Sequence, residues 1–288
     1  MLDPQIQYVT VDGITLAYRA CGIPQRGTMV LLHGLSECSA FFWRPLIRHF
    51  EQHYRIIAFD LLGHGDSDKP ESGYEIEQQS ALLRAAIHQL GETRIILIGH
   101  SLGGIIATRM ALDEPSLIEK LVLYDAPLSD KPHRNFLMFL QRVPDTALFL
   151  LLSALTPKPI SKIFVGLIPL RWATRAVLWR WRVPYNRQQL NEEFMQHSVR
   201  HSSYALMESA RNAYMRHNVM QELRQLQPVT CLIVGEDDVL LPEWMARRIK
   251  HHIPNCELYM IKKAGHVSLI DQPVQFNAAL EQFLSKNI

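Results

Sequence analysis

Ile95-Ile96-Leu97-Ile98-Gly99-His100-Ser101-Leu102-Gly103-Gly104 is the run from which the architecture can be read. Four consecutive apolar residues, three of them β-branched, suit a strand covered on both faces, as in a parallel sheet. A Gly-x-Ser-x-Gly turn follows, and Ile105 to Leu112 then carries a helical pattern that stops before Pro115. In a strand–turn–helix of this kind the glycines let strand and helix approach closely across a strained turn. The serine Oγ is exposed at the carboxyl end of the strand, beside the free N–H groups that open the helix. Ser101 is therefore the candidate nucleophile.

On either side the same rhythm continues. Met29–Leu32, Ile56–Phe59 and Leu121–Tyr124 are short apolar runs bounded by Gly, Asp or Pro, and each predicts a buried strand. Tyr8–Val11 and Thr15–Tyr18, joined by Asp12-Gly13, predict an antiparallel hairpin at a sheet edge. Ser80–Leu90 predicts a helix capped by Gly91. After Pro127 strand patterns cease. They return at Val229–Val234 and Glu257–Ile261, and a last helix is expected over Val274–Leu284. The expected fold is α/β: a mostly parallel eight-stranded sheet flanked by helices, built from residues 1–127 and 229–288, with a helical cap over residues 128–228.

Composition narrows the function classes. With 48% hydrophobic and 20% charged residues the chain is an ordinary globular one, and a net charge of +2 gives no reason to expect a nucleic-acid partner. The four cysteines, Cys21, Cys38, Cys231 and Cys256, show neither a Cys-x-x-Cys pair nor metal-ligand spacing, so no metal is expected. Met1 to Thr10 lacks the basic-then-apolar order of a signal peptide, and a cytoplasmic protein is expected.

A serine nucleophile needs a base and a group that orients the base. Beyond the strand Val229–Val234, Gly235-Glu236-Asp237-Asp238 offers acids at a strand end, and Ala264-Gly265-His266 follows the next strand. Among thirteen histidines, His266 is singled out by that position. Asp238 is the candidate acid, with Asp237 and Asp125, which also ends a strand, as rivals. Acyl chemistry further requires donors for a developing oxyanion. The N–H of Leu102, just after the serine, is one candidate. The N–H of Leu35, in the loop His33-Gly34-Leu35 after Met29–Leu32, is the other. His33, Gly34 and His100, which flank these donors, are expected to line the substrate.

Taken together, these segments resemble the α/β-hydrolase superfamily. The matching pieces are His33-Gly34-Leu35 with Trp43, Asp60 to Ser67, Gly99 to Gly104, Gly235 to Asp238 with Pro242, and Gly265-His266, all in family order. The resemblance implies the chain order serine, acid, histidine, and an acid three residues past the late glycine, which favours Asp238. It also implies a cap inserted after the sixth strand. Asp66-Ser67-Asp68-Lys69-Pro70 is similar to a segment of haloalkane dehalogenases and epoxide hydrolases. Those enzymes use an aspartate where this chain has Ser101, which counts against both activities. The rest resembles esterases, monoacylglycerol lipases, carbon–carbon bond hydrolases and cofactor-free perhydrolases.

Within the insert, Phe136–Leu140 and Ala147–Leu155 are apolar nearly all round, and Ile163–Leu170 leads into Arg171–Arg182, which mixes arginine with tryptophan. Such helices can line an acyl pocket, and an Arg/Trp mixture also suits peripheral contact with a membrane. The expected activity is cofactor-free hydrolysis of a small lipophilic ester by Ser101, His266 and Asp238. Carbon–carbon bond hydrolysis or perhydrolysis is the alternative within enzymes. A non-turnover ligand receptor or a membrane-docked interaction protein is the alternative outside them.

Overall fold

A computed structural model describes residues 4–128, 141, 184–189, 191–198, 200–213 and 218–286. Eight strands form one sheet: β1 (Ile6–Val11), β2 (Ile14–Gly22), β3 (Thr28–Leu32), β4 (Arg55–Phe59), β5 (Ile95–His100), β6 (Ile118–Tyr124), β7 (Val229–Gly235) and β8 (Cys256–Ile261). Their spatial order is β1-β2-β4-β3-β5-β6-β7-β8. The pairs β1/β2 and β2/β4 are antiparallel and every later pair is parallel.

Consecutive apolar residues in the central strands divide between the two faces of the sheet. Val30 and Leu32 of β3, with Ile95 and Leu97 of β5, join a core that includes Ile105, Ile106 and Met245. Met29 and Leu31, with Ile96 and Ile98, join a second core that includes Leu46, Phe276 and Phe283. Each such side chain contributes roughly 1.5–3 kcal/mol on burial, so neither face tolerates a polar residue at these positions.

The predicted strands are present, extended by one to four residues at one or both ends. The helix expected at Ser80 begins at Ile76 as α3 (Ile76–Gln89). Its first turn carries the buried polar residues Gln79 and Ser80, which bond to Tyr74 O and Asp113 Oδ2 and so hide the apolar face from a periodicity reading. Helices α1 (Ser39–Phe42) and α2 (Arg44–Phe50) were not expected. Helix α4 (Leu102–Asp113) follows β5 directly.

Strands β6 and β7 are sheet neighbours, although residues 125–228 run between them. Within that stretch the described helices are α5 (Glu192–Ser198) and α6 (Ser203–Arg211). The apolar runs 136–140, 147–155 and 163–170 and the Arg/Trp run 171–182 lie outside the described residues. After β7 come α7 (Glu243–His252), also unexpected, then α8 (Ser268–Asp271) and α9 (Pro273–Leu284) after β8. No helix among the described residues is long and apolar enough to cross a membrane.

The loop Asp60–Ser67 braces the sheet. The Asp60 carboxylate accepts from the N–H groups of Ser39 at 2.6 Å and Asp66 at 2.9 Å and lies 3.6 Å from the Arg19 guanidinium. Burial by itself would raise the Asp60 pKa. Nearby His33 and these hydrogen bonds outweigh it and hold the carboxyl below its ordinary value.

Candidate active site

Strands β3, β5, β6 and β7 run parallel and adjacent, so the loops at their carboxyl ends gather at one edge of the sheet. Three of these loops hold a non-glycine residue in the left-handed region: Ser36 (φ 62°), Ser101 (φ 49°) and Asp125 (φ 45°). Such backbone costs about 1–3 kcal/mol per residue and persists only where its surroundings impose it.

At Ser101 two surroundings do so. Its N–H donates to Tyr124 O of the neighbouring strand at 3.0 Å, and its carbonyl accepts from the N–H groups of Gly104 and Ile105 at the start of α4. Helix α4 is also pressed against the loop after β3. A Cβ on Gly103 would stand 2.2 Å from Leu32 O and 2.6 Å from His33 O. Glycine at 103 thus lets the residues carrying the Leu102 and Leu35 N–H groups approach each other. Gly103→Ala is expected to cost at least about 2 kcal/mol in urea unfolding, because the clash is with backbone and cannot be relieved by a rotamer change. Activity should fall with it as the two loops separate.

The Ser101 Oγ lies 3.0 Å from His266 Nε2, and His266 Nδ1 lies 2.8 Å from Asp238 Oδ2. An ionised carboxylate only accepts, so Nδ1 carries the proton and Nε2 presents its lone pair to the serine hydroxyl. All three side chains are buried. The other Asp238 oxygen, Oδ1, accepts from the N–H groups of Leu240 at 2.7 Å and Leu241 at 3.1 Å. Burial would raise the Asp238 pKa. His266 and these two N–H groups outweigh burial and keep the carboxyl below its ordinary value.

The rival acids lie elsewhere. Asp237 points outward and accepts from the Tyr185 hydroxyl at 2.5 Å. Asp125 accepts from Gly235 N–H at 2.9 Å and sits 3.1 Å from the Ser268 hydroxyl. Burial first, and then the charge on Asp238, push the Asp125 pKa well above its ordinary value. Among the three acids it is Asp238 that meets the histidine.

For His33 and His100 the geometry differs from the substrate-facing placement expected of them. Both rings are fully buried and both ring nitrogens of each are already engaged. His33 Nδ1–H donates to Gly34 O at 2.8 Å, and Nε2 accepts from Leu61 N–H at 3.0 Å. His100 bonds to Glu37 and to the backbone of His266. Gly34 is likewise enclosed, its N–H donating to Glu37 Oε2. These residues are tied into the walls behind the serine, because each imidazole finds a carbonyl, carboxylate or N–H before it reaches open space.

The sequence reading also missed Asp271. Its Oδ2 accepts from Gly265 N–H at 2.8 Å, next to His266, and its Oδ1 accepts from the N–H groups of Tyr185 at 3.0 Å and Asn186 at 2.8 Å. The middle of the insert is thereby bonded to the loops of both the histidine and, through Tyr185 and Asp237, the acid. A carboxylate two residues before Pro273 carried no signal of this.

Comparison with known proteins gives the same frame. The chain is 28% identical over 267 residues to the RutD protein of Stutzerimonas stutzeri, named for carbamate hydrolysis, covering 91% of this chain and 93% of that one. It is 26% identical over 286 residues to the uncharacterized hydrolase YugF of Bacillus subtilis, covering 97% of each. The enol-lactonase of Burkholderia xenovorans LB400 superposes with a TM-score of 0.79 at 20% identity, over 97% of this chain and all of that one, a likeness of fold. The model of the alpha/beta hydrolase fold family matches residues 27–273, and the chain belongs to that family.

Proposed function

We propose that this hydrolase cleaves carboxylic esters through Ser101, His266 and Asp238. His266 Nε2 takes the hydroxyl proton as Ser101 Oγ attacks the carbonyl carbon. Asp238 orients the imidazole and stabilises its cation. The N–H groups of Leu102 and Leu35 receive the oxyanion. The alcohol leaves with the proton from His266, and water, activated by the same base, releases the acid from the acyl-enzyme. The observation that carries this reading is the unbroken hydrogen-bonded chain from Asp238 through His266 to a serine held on a left-handed turn. No step calls for a cofactor or metal.

Lipophilic acyl esters are the proposed substrates, with residues 128–228 acting as lid and peripheral membrane contact through residues 171–182. Support comes from the apolar runs of the insert. The likeness to a protein named for carbamate hydrolysis favours a second reading, since a carbamate carbonyl would accept the same attack.

A fluorophosphonate probe is expected to label Ser101. A panel of p-nitrophenyl and glycerol esters, run with and without lipid vesicles, is expected to show kcat/KM rising with acyl length. If a carbamate or a ring-cleavage diketone is turned over and every ester is inert, the ester reading gives way to that chemistry. Absence of label at Ser101 sinks the serine mechanism itself.

A further inference from the structure

Behind the turn that carries Ser101 lies a second carboxylate–imidazole pair, unused in the chemistry above. Glu37 Oε2 is 2.9 Å from His100 Nδ1 and accepts from Gly34 N–H at 2.6 Å. His100 Nε2 is 2.9 Å from the backbone carbonyl of His266. Glu37 and His100 are both buried. A carbonyl oxygen only accepts, so Nε2 must carry a hydrogen. A single hydrogen shared between Nδ1 and Glu37 Oε2 closes the other side, so both ring nitrogens are bonded. The ring packs in a corner against Phe42, with centroids 4.8 Å apart, and Tyr124, at 4.4 Å. A Cβ on Gly34 would stand 2.7 Å from His100 Nδ1 and 2.9 Å from Glu37 Oε2, so glycine there is what lets the pair close onto the loop.

The bonds run Gly34, Glu37, His100, His266. One end is the backbone next to Leu35, a donor to the oxyanion. The other end is the backbone of the base itself. We infer that Glu37 and His100 are positioning residues that hold the oxyanion loop and the base in register around Ser101, an inference that rests on the serine-hydrolase reading above. A pair kept for stability alone is the weaker account, because a buried ion pair is commonly matched or bettered by apolar residues of similar volume.

Glu37→Gln keeps an acceptor for Gly34 N–H but removes the carboxyl group that joins that N–H and the His100 ring at one oxygen. The double variant Glu37→Gln/His100→Phe keeps a ring against Phe42 and Tyr124 and removes both bonds of His100 together. If Glu37→Gln yields no folded protein, the double variant carries the same measurement. Active serines are first counted with excess fluorophosphonate, and turnover of a short p-nitrophenyl ester is then expressed per labelled serine. The expected result is a kcat about ten- to a hundredfold below wild type with KM within about threefold, the signature of reacting groups shifted by a fraction of their spacing. A purely structural role would lower the labelled fraction and the melting temperature and leave kcat per labelled serine within about twofold of wild type. That outcome overturns the inference and leaves the serine mechanism standing. A wild type that takes no label overturns the mechanism, and this inference with it.

Discussion

Ser101→Ala is expected to lower kcat by about ten-thousandfold or more and to abolish fluorophosphonate labelling, with an unchanged circular dichroism spectrum and melting profile. The substitution removes one buried hydroxyl whose partner is His266 Nε2. It leaves in place the backbone bonds that impose the turn, Ser101 N–H to Tyr124 O and the two donors onto Ser101 O. The left-handed backbone at position 101 is held by those bonds, so alanine inherits the strain and the fold. His266→Ala should match it in kcat, because neither residue is useful without the other and their losses do not add. Esterase activity that survives Ser101→Ala at the wild-type rate would remove this serine from the chemistry.

The second large effect separates two aspartates. Asp238→Asn should lower kcat by about ten-thousandfold, whereas Asp125→Asn should leave it within about threefold. An amide at 238 presents an N–H to His266 Nδ1. The ring then accepts there, and its proton moves to Nε2, where it faces Ser101 and blocks proton transfer. At 125, burial first and then the Asp238 charge raise the carboxyl's pKa well above its ordinary value, which favours the neutral form that an amide resembles. Asparagine reproduces that state: Oδ1 accepts from Gly235 N–H, the amide donates to the Ser268 hydroxyl, and asparagine tolerates a φ of 45°.

The two residues also differ in how they link stability to pH. A folded pKa raised above the unfolded one, as at Asp125, gives stability that is complete below the ordinary value of 3.8 and is lost as pH rises through the folded pKa. Asp125→Asn escapes that loss, so its stability advantage over wild type should widen from about pH 4 upward in urea titrations. Asp238, with its pKa lowered, has the opposite sign: its contribution is present above 3.8 and disappears as pH falls through the folded value.

Much of the sheet was legible because a parallel strand covered on both faces must be apolar at consecutive positions, and few other structures require that. Helix α7 was not, since its buried face is only Met245, Ala246 and Ile249 among charged neighbours. Ser101 and His266 stood out by following strands and glycines. Between Asp237 and Asp238 the strand-end position alone does not choose, because both follow Gly235 closely; only the family resemblance, with its acid three residues past that glycine, favours Asp238. It is made by the turn that aims the Leu240 and Leu241 N–H groups at one carboxylate and leaves the other to Tyr185. Glu37 was invisible for a different reason: an acid in a loop reads as solvated, and only the fold brings Gly34 N–H and the His100 ring onto it.

The adjacency of β6 and β7 sets the order in which the molecule can assemble. Six strands can pair once residue 124 has been made, in the spatial order found in the complete sheet. The serine turn and the loop after β3 are then in place, with neither acid nor base. The open edge of β6 waits for Val229–Gly235. At cellular synthesis rates that wait is roughly 5–20 s, during which an apolar strand edge lies open to wrong partners. The nascent chain therefore lacks a complete acid–base pair beside Ser101 until its last sixth emerges, and its hazard before that point is aggregation rather than untimely hydrolysis.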